Sequence, residues 1–134
     1  MSHRDATSAS LWIPGPLPNL NDMLDAAKGS GGRGMGYSAM KKAWSEVVWA
    51  AALQARIQRP GPFAGPVHVS FLWIERDQRR DIDNVAAAKK FILDGLVTAR
   101  VLSGDGWKGV QGFSDHFAVD AARPGVHVTI TLVG

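Results

Sequence analysis

The sequence predicts an α+β fold in which two main helices pack on a small mixed β-sheet, and three observations carry that expectation. Val67, Val69, Phe71 and Trp73 recur at period two within residues 66–75, the pattern of a strand with one strongly apolar face. Val126, Val128, Ile130 and Leu132 repeat it within residues 125–133, so both segments are expected in one sheet. Two other stretches carry apolar residues at helical spacing instead: Met40, Trp44, Val47, Val48, Ala51 and Ala55, then Val85, Ala88, Ile92, Leu96 and Ala99.

Taken in order, residues 1–10 are polar and read as a frayed terminus. Leu11, Trp12 and Ile13 form a short strand ended by Pro14-Gly15-Pro16, after which Pro18, Asn19 and Asn21 read as turns. Residues 29–36 form a glycine-rich loop bearing Arg33; it lacks the Gly-Lys-Ser/Thr that closes a Walker phosphate loop. Ser38 is placed to cap a helix running to about Gln58, stopped by Pro60-Gly61. Lys41 and Lys42 fall in its first turn, where the helix dipole disfavours cations, which points to a partner supplying negative charge. Asp83 or Asn84 caps the second helix, expected to run to about Arg100, and Phe113, Phe117 and Val119 mark a weaker strand over residues 112–119.

Composition narrows the class. A chain of 134 residues is expected to form one domain, 1–134, and the absence of cysteine excludes thiolate zinc sites, thiol nucleophiles and a disulfide scaffold. No apolar run approaches the ~18 residues that span a bilayer, and the N-terminus has no signal-peptide pattern, so a cytoplasmic location without membrane contact is expected. A formal charge of +3 biases the chain mildly toward polyanions. His68 and His127 lie on the polar sides of their strands with no third ligand spaced to join them in a metal site.

The chemistry concentrates between the two strong strands. Asp81 and Asp83 stand two apart just before a helix, which puts both carboxylates on the same side of an extended segment. Such a pair is stabilised by a shared cation, and hard oxygen donors suit Mg²⁺, with Mn²⁺ as a substitute. Asp105, in a turn between Gly104 and Gly106, is a third candidate ligand. On a continuous helix from Asp83, Lys90 and Asp94 fall within about 40° of it, opposite the apolar stripe. Singly, each Asp also reads as a cap or turn residue.

The ordered set Arg79-Arg80-Asp81-Ile82-Asp83-Asn84, Lys89-Lys90-Phe91-Ile92-Leu93-Asp94-Gly95-Leu96, Val101-Leu102 and Asp105-Gly106-Trp107 resembles the RusA-type Holliday-junction resolvases, especially their phage and prophage branch. Fainter matches are Ile13-Pro14-Gly15, Leu20-Asn21 and Met40-Lys41-Lys42. The resemblance implies a RusA-like, homodimeric, Mg²⁺-dependent endodeoxyribonuclease that nicks opposing strands of a four-way DNA junction in recombination and repair. Its catalytic acids map onto Asp81, Asp83 and Asp105, and its essential lysine onto Lys90. Arg79, Arg80, Lys41, Lys42 and Arg33 would then hold phosphates, with Lys89 on the flank and Asn21 and Asn84 orienting phosphates or metal ligands. Two other readings use the same residues: a non-catalytic DNA-binding module of phage origin, and a Mg²⁺-dependent enzyme acting on small phosphorylated substrates.

Overall fold

In the computed structural model the structure describes residues 7–28, 36–57, 63–104 and 106–133. Four strands, β1 (Ser8–Pro14), β2 (Val67–Glu75), β3 (Val110–Val119) and β4 (Gly125–Leu132), form one mixed sheet in the order β1-β4-β2-β3. β4 runs antiparallel to both β1 and β2. β2 and β3 are parallel, and the chain between them makes the crossover such a pair needs through α3 (Ile82–Ala86) and α4 (Lys89–Thr98). Two further helices, α1 (Leu20–Lys28) and α2 (Tyr37–Gln54), complete the α+β fold. No described helix is long and apolar enough to cross a membrane.

One face of the sheet makes the core. Ile13 pairs with Val126 and that with Trp73; Leu11 pairs with Val128 and that with Phe71. These side chains are buried together with Val48 and Ala52 of α2 and Phe91, Ile92 and Leu96 of α4. The whole expected stripe Val85, Ala88, Ile92, Leu96 and Ala99 is buried. Gly95 sets how closely α2 and α4 approach: a Cβ there would lie 2.6 Å from Cβ of Val48.

Four local details depart from the sequence reading. β1 starts at Ser8, whose partner is Thr131, so part of the expected frayed terminus is a strand. Residues 20–28 are a helix, because Asn19 and Asp22 cap it reciprocally: Asn19 Oδ1 accepts the Asp22 N–H at 2.9 Å and Asp22 Oδ2 accepts the Asn19 N–H at 2.8 Å. α2 is preceded by Gly36 rather than capped by Ser38, and ends before Gln58. The second expected helix breaks at Ala87 and Ala88, where Ala88, Lys90 and Phe91 donate to carbonyls three residues back, those of Val85, Ala87 and Ala88.

Both long helices end the same way. Arg56 and Arg100 take φ of 60° and 64°, and the next N–H, of Ile57 or Val101, reaches back to Ala52 or Leu96. This is the Schellman ending, closed by burial of Ile57 and Val101, with arginine where glycine is usual.

Candidate active site

A cleft of about 600 Å³ opens at the C-terminal ends of the parallel strands β2 and β3, the usual position for ligands in sheets with parallel crossovers. Glu75, Asp77, Asp81 and Asp83 line it with Arg80, and Phe117 and Val85 supply apolar wall. β2 delivers Glu75 at its last position, the 76–81 loop delivers Asp77, and α3 starts immediately after Asp81.

The four carboxylates differ in what they are bonded to. Glu75 Oε1 lies 3.2 Å from Nη1 of Arg80, whose Nη2 donates to the Leu17 carbonyl at 2.7 Å and lies 3.9 Å from Asp22. Asp77 accepts the Arg79 N–H at 3.0 Å and sits 3.7 Å from that guanidinium. Asp83 accepts the neighbouring Asn84 N–H at 2.9 Å. Asp81 is the residue that precedes α3, in place of Asp83 or Asn84; its carbonyl accepts the Val85 N–H at 3.0 Å while its carboxylate makes no capping hydrogen bond. Among the described residues, neither Asp81 nor Asp83 enters an ion pair. Two exposed carboxylates with uncommitted oxygens are a donor set that fits a hard divalent cation, and Asp81 and Asp83 are the residues that would hold it. Among the described residues no three carboxylate or imidazole groups form a metal-holding cluster, and Asp105 lies outside them.

The lysines sit elsewhere than the continuous helix implied. The turn at Ala87 and Ala88 puts Asp83 in α3 and Lys90 in α4. Lys90 is absent from the cleft lining; its Nζ lies 3.2 Å from Asp94 Oδ1, one turn on. Lys41 reaches the same carboxylate from α2, 3.5 Å from Oδ2, and supplies the answer to its unfavourable place in the first turn. Lys89 turns the other way: its Nζ is 2.7 Å from Asp115 Oδ2, over the rings of Phe113 (4.7 Å) and Phe71 (5.4 Å). Asp115 Oδ1 also accepts the Trp73 indole N–H at 2.8 Å.

Of the other expected phosphate contacts, Arg79 has a side chain 90% exposed and Lys42 and Asn21 are exposed, whereas Arg80 is committed to its clamp and Asn84 is half-buried. Arg33 lies outside the described residues. The sequence reading passed over Glu75 and Asp77 as cleft residues, although an acid ending an alternating strand and another two residues on mark a functional sheet end. It also passed over Asp115, whose partners lie 26 and 42 residues away in sequence and leave no local signal. Comparison with protein-family models and with curated proteins finds no match to the chain.

Proposed function

We propose that the chain is a Mg²⁺-dependent, structure-selective endodeoxyribonuclease that resolves four-way DNA junctions by paired nicks, working as a homodimer in recombination or repair. The observation that carries this reading is the contrast within one cleft. Glu75 and Asp77 are neutralised by Arg80 and Arg79, while Asp81 and Asp83 keep free oxygens at the ends of parallel strands. Asp81 and Asp83 are exposed and have no ion partners among the described residues, so their oxygens are open to a cation. The ordered resemblance to the resolvases points the same way and adds Asp105 as a third acid.

When bound, Mg²⁺ supplies charge neutralisation at a phosphate and a water of lowered pKa. The rest falls to the chain. Asp81 and Asp83 would hold the ion, and Arg79 at the rim, with Lys42 on α2, would offer the phosphate backbone exposed cations that carry no base preference. The resemblance assigns the essential lysine to Lys90, which here is paired with Asp94 at 3.2 Å and stands off the cleft lining, so it would meet developing charge on a phosphate only by leaving that carboxylate. Two nicks related by symmetry require two such sites, hence a C2 dimer.

The test is a Mg²⁺-titrated cleavage assay on four-way junction, flap and linear duplex of the same sequence, with particle mass from light scattering. Paired nicks confined to the junction, made by a dimer, are expected. Binding to junctions with no cleavage at any Mg²⁺ or Mn²⁺ concentration would leave the non-catalytic DNA-binding module instead.

A further inference from the structure

The helices pack on one side of the sheet, and the register of the four strands defines what stands on the other. One row across it reads Trp12, His127, Leu72, His116 on β1, β4, β2 and β3; the next reads Ser10, Thr129, Ser70, Ser114. The flanking rows add Ser8, Thr131 and His68 on one side and Ile74 and Ala118 on the other. Nothing in these rows is an Asp or Glu, although acids occur at all the other sites described above. The side chains are half-buried or exposed rather than covered.

The rings are held in place. Trp12 and His127 lie 4.6 Å apart, centroid to centroid, and the guanidinium carbon of Arg123 stands 4.6 Å from the Trp12 ring. Gly125 is the floor under the indole: a Cβ there would come within 2.5 Å of it. His68 is fixed on Ser114 Oγ at 2.7 Å. At the β1 edge a groove of about 320 Å³ runs from Trp12, His127, Arg123 and Ser10 round to Ala51 and Gln54 of α2 and Ala55 at its end.

We infer that this open sheet face binds single-stranded nucleic acid, with bases stacking on His127 and on the Arg123 guanidinium that Trp12 supports, and phosphates meeting the hydroxyl and imidazole donors of the adjacent rows. Charge complementarity selects this occupant: one cation and many O–H and N–H donors, with no carboxylate, suit a phosphate chain. Planar side chains on a sheet accept any base by its π face. A second copy of the chain fits less well, because dry sheet-on-sheet packing needs apolar inner faces and these rows offer Trp12, Leu72 and Ile74 amid hydroxyls. The inference goes beyond the junction reading and does not need it, since the acidic cleft lies at the strand ends.

The experiment is fluorescence anisotropy of the full chain with a short labelled single strand, and with an abasic strand of the same length. Binding of the normal strand is expected, weakened roughly tenfold or more by Trp12→Ala, largely kept by Trp12→Phe, and much poorer for the abasic strand. Thr129→Glu adds a carboxylate in the hydroxyl row without touching the Trp12 floor, and should weaken binding too even if Trp12→Ala fails to fold. Equal binding by Thr129→Glu, or equal binding of the abasic strand, overturns the inference. So does a Thr129→Glu chain that loses half its particle mass while still binding the strand, which would make the face an interface between copies. Asp81→Asn should bind the single strand as the parent does. A parent chain that binds it in this Trp12-dependent way yet never cuts junctions sinks the resolvase reading and leaves this one standing.

Discussion

Replacing Lys89 with alanine separates a phosphate contact from a structural one. In the sequence Lys89 stands beside Lys90 and looks like a flanking cation, but its ammonium lies 2.7 Å from Asp115 with about a fifth of its side chain exposed, and two aromatic rings lie beneath it. Breaking a fully buried ion pair from one side costs ~3–5 kcal/mol, because the remaining charge is left unpaired. Residual exposure of Lys89 (21%) and Asp115 (26%) reduces that, and Asp115 keeps the Trp73 N–H; the lost cation–π contact adds ~0.5–1 kcal/mol. The expected loss is about 2–3 kcal/mol, a fall in melting temperature of roughly 10 °C for a chain of this size. Urea denaturation of Lys89→Ala measures it, and Lys89→Met, Asp115→Asn and their combination complete a double-mutant cycle. The double variant leaves no unpaired charge and its amide oxygen still accepts from Trp73, so it should be more stable than the sum of the singles by 1 kcal/mol or more, to order of magnitude. A coupling near zero, or an unchanged urea midpoint for Lys89→Ala with a shallower salt dependence of DNA binding, refutes the structural role.

Four further outcomes are expected. On the proposed function, Asp81→Asn, Asp83→Asn and Asp105→Asn should each abolish Mg²⁺-dependent junction cleavage in single-turnover assays while leaving junction binding intact or tighter, since each would remove a proposed ligand and a charge repelling phosphate. Lys90→Ala should lower the single-turnover rate on the order of a hundredfold with little change in junction affinity, measured by gel shift. Arg79→Ala and Lys42→Ala should each shallow the salt slope of binding by up to about one, whereas Arg80→Ala should instead lower the urea midpoint by breaking its links to Glu75 and Leu17. Arg56→Gly and Arg100→Gly should each raise stability by about 0.5–1 kcal/mol in thermal unfolding, because both positions hold positive φ.

The parts of the fold legible in the sequence are those in which one side chain pattern repeats for several turns or pleats. β2, β4, the core of α2 and the buried stripe through Val85 and Ala99 were readable because period alone places them, whatever their neighbours. α1 was not, although its signal is present: Asn19 and Asp22 form the reciprocal cap, but Pro16, Pro18 and Asn21 around them carry turn propensity and the helix is only nine residues long. The break between α3 and α4 had no sequence signal at all. Ala86-Ala87-Ala88 is strongly helix-favouring, and the chain departs from regular helix there while burying Ala88 completely. A helical wheel drawn from Asp83 assumes no such interruption, and Lys90 is found on Asp94 and off the cleft lining.

The electrostatic reading illustrates the same limit from another side. Sequence gives the number of cations and their spacing; what a cation is free to do depends on the acid that the fold sets against it. Lys41 in a first turn implied an external anion, and the fold answers with Asp94, which Gly95 and Val48 bring close by letting α2 and α4 pack tightly. Arg80 implied a phosphate contact, and the fold spends it on Glu75, Leu17 and Asp22, joining the end of β2 to the start of α1. What remains exposed is Lys42 and Arg79, the latter 3.7 Å from Asp77 yet 90% exposed, and within the cleft Asp81 and Asp83 are the acids without ion partners among the described residues. The net charge of +3 therefore understates how unevenly charge is distributed. One strand-end cleft retains uncommitted carboxylates and the sheet face opposite the helices carries none in its rows, which is why the two proposals made for them name different occupants, a divalent cation at the first and a phosphate chain at the second.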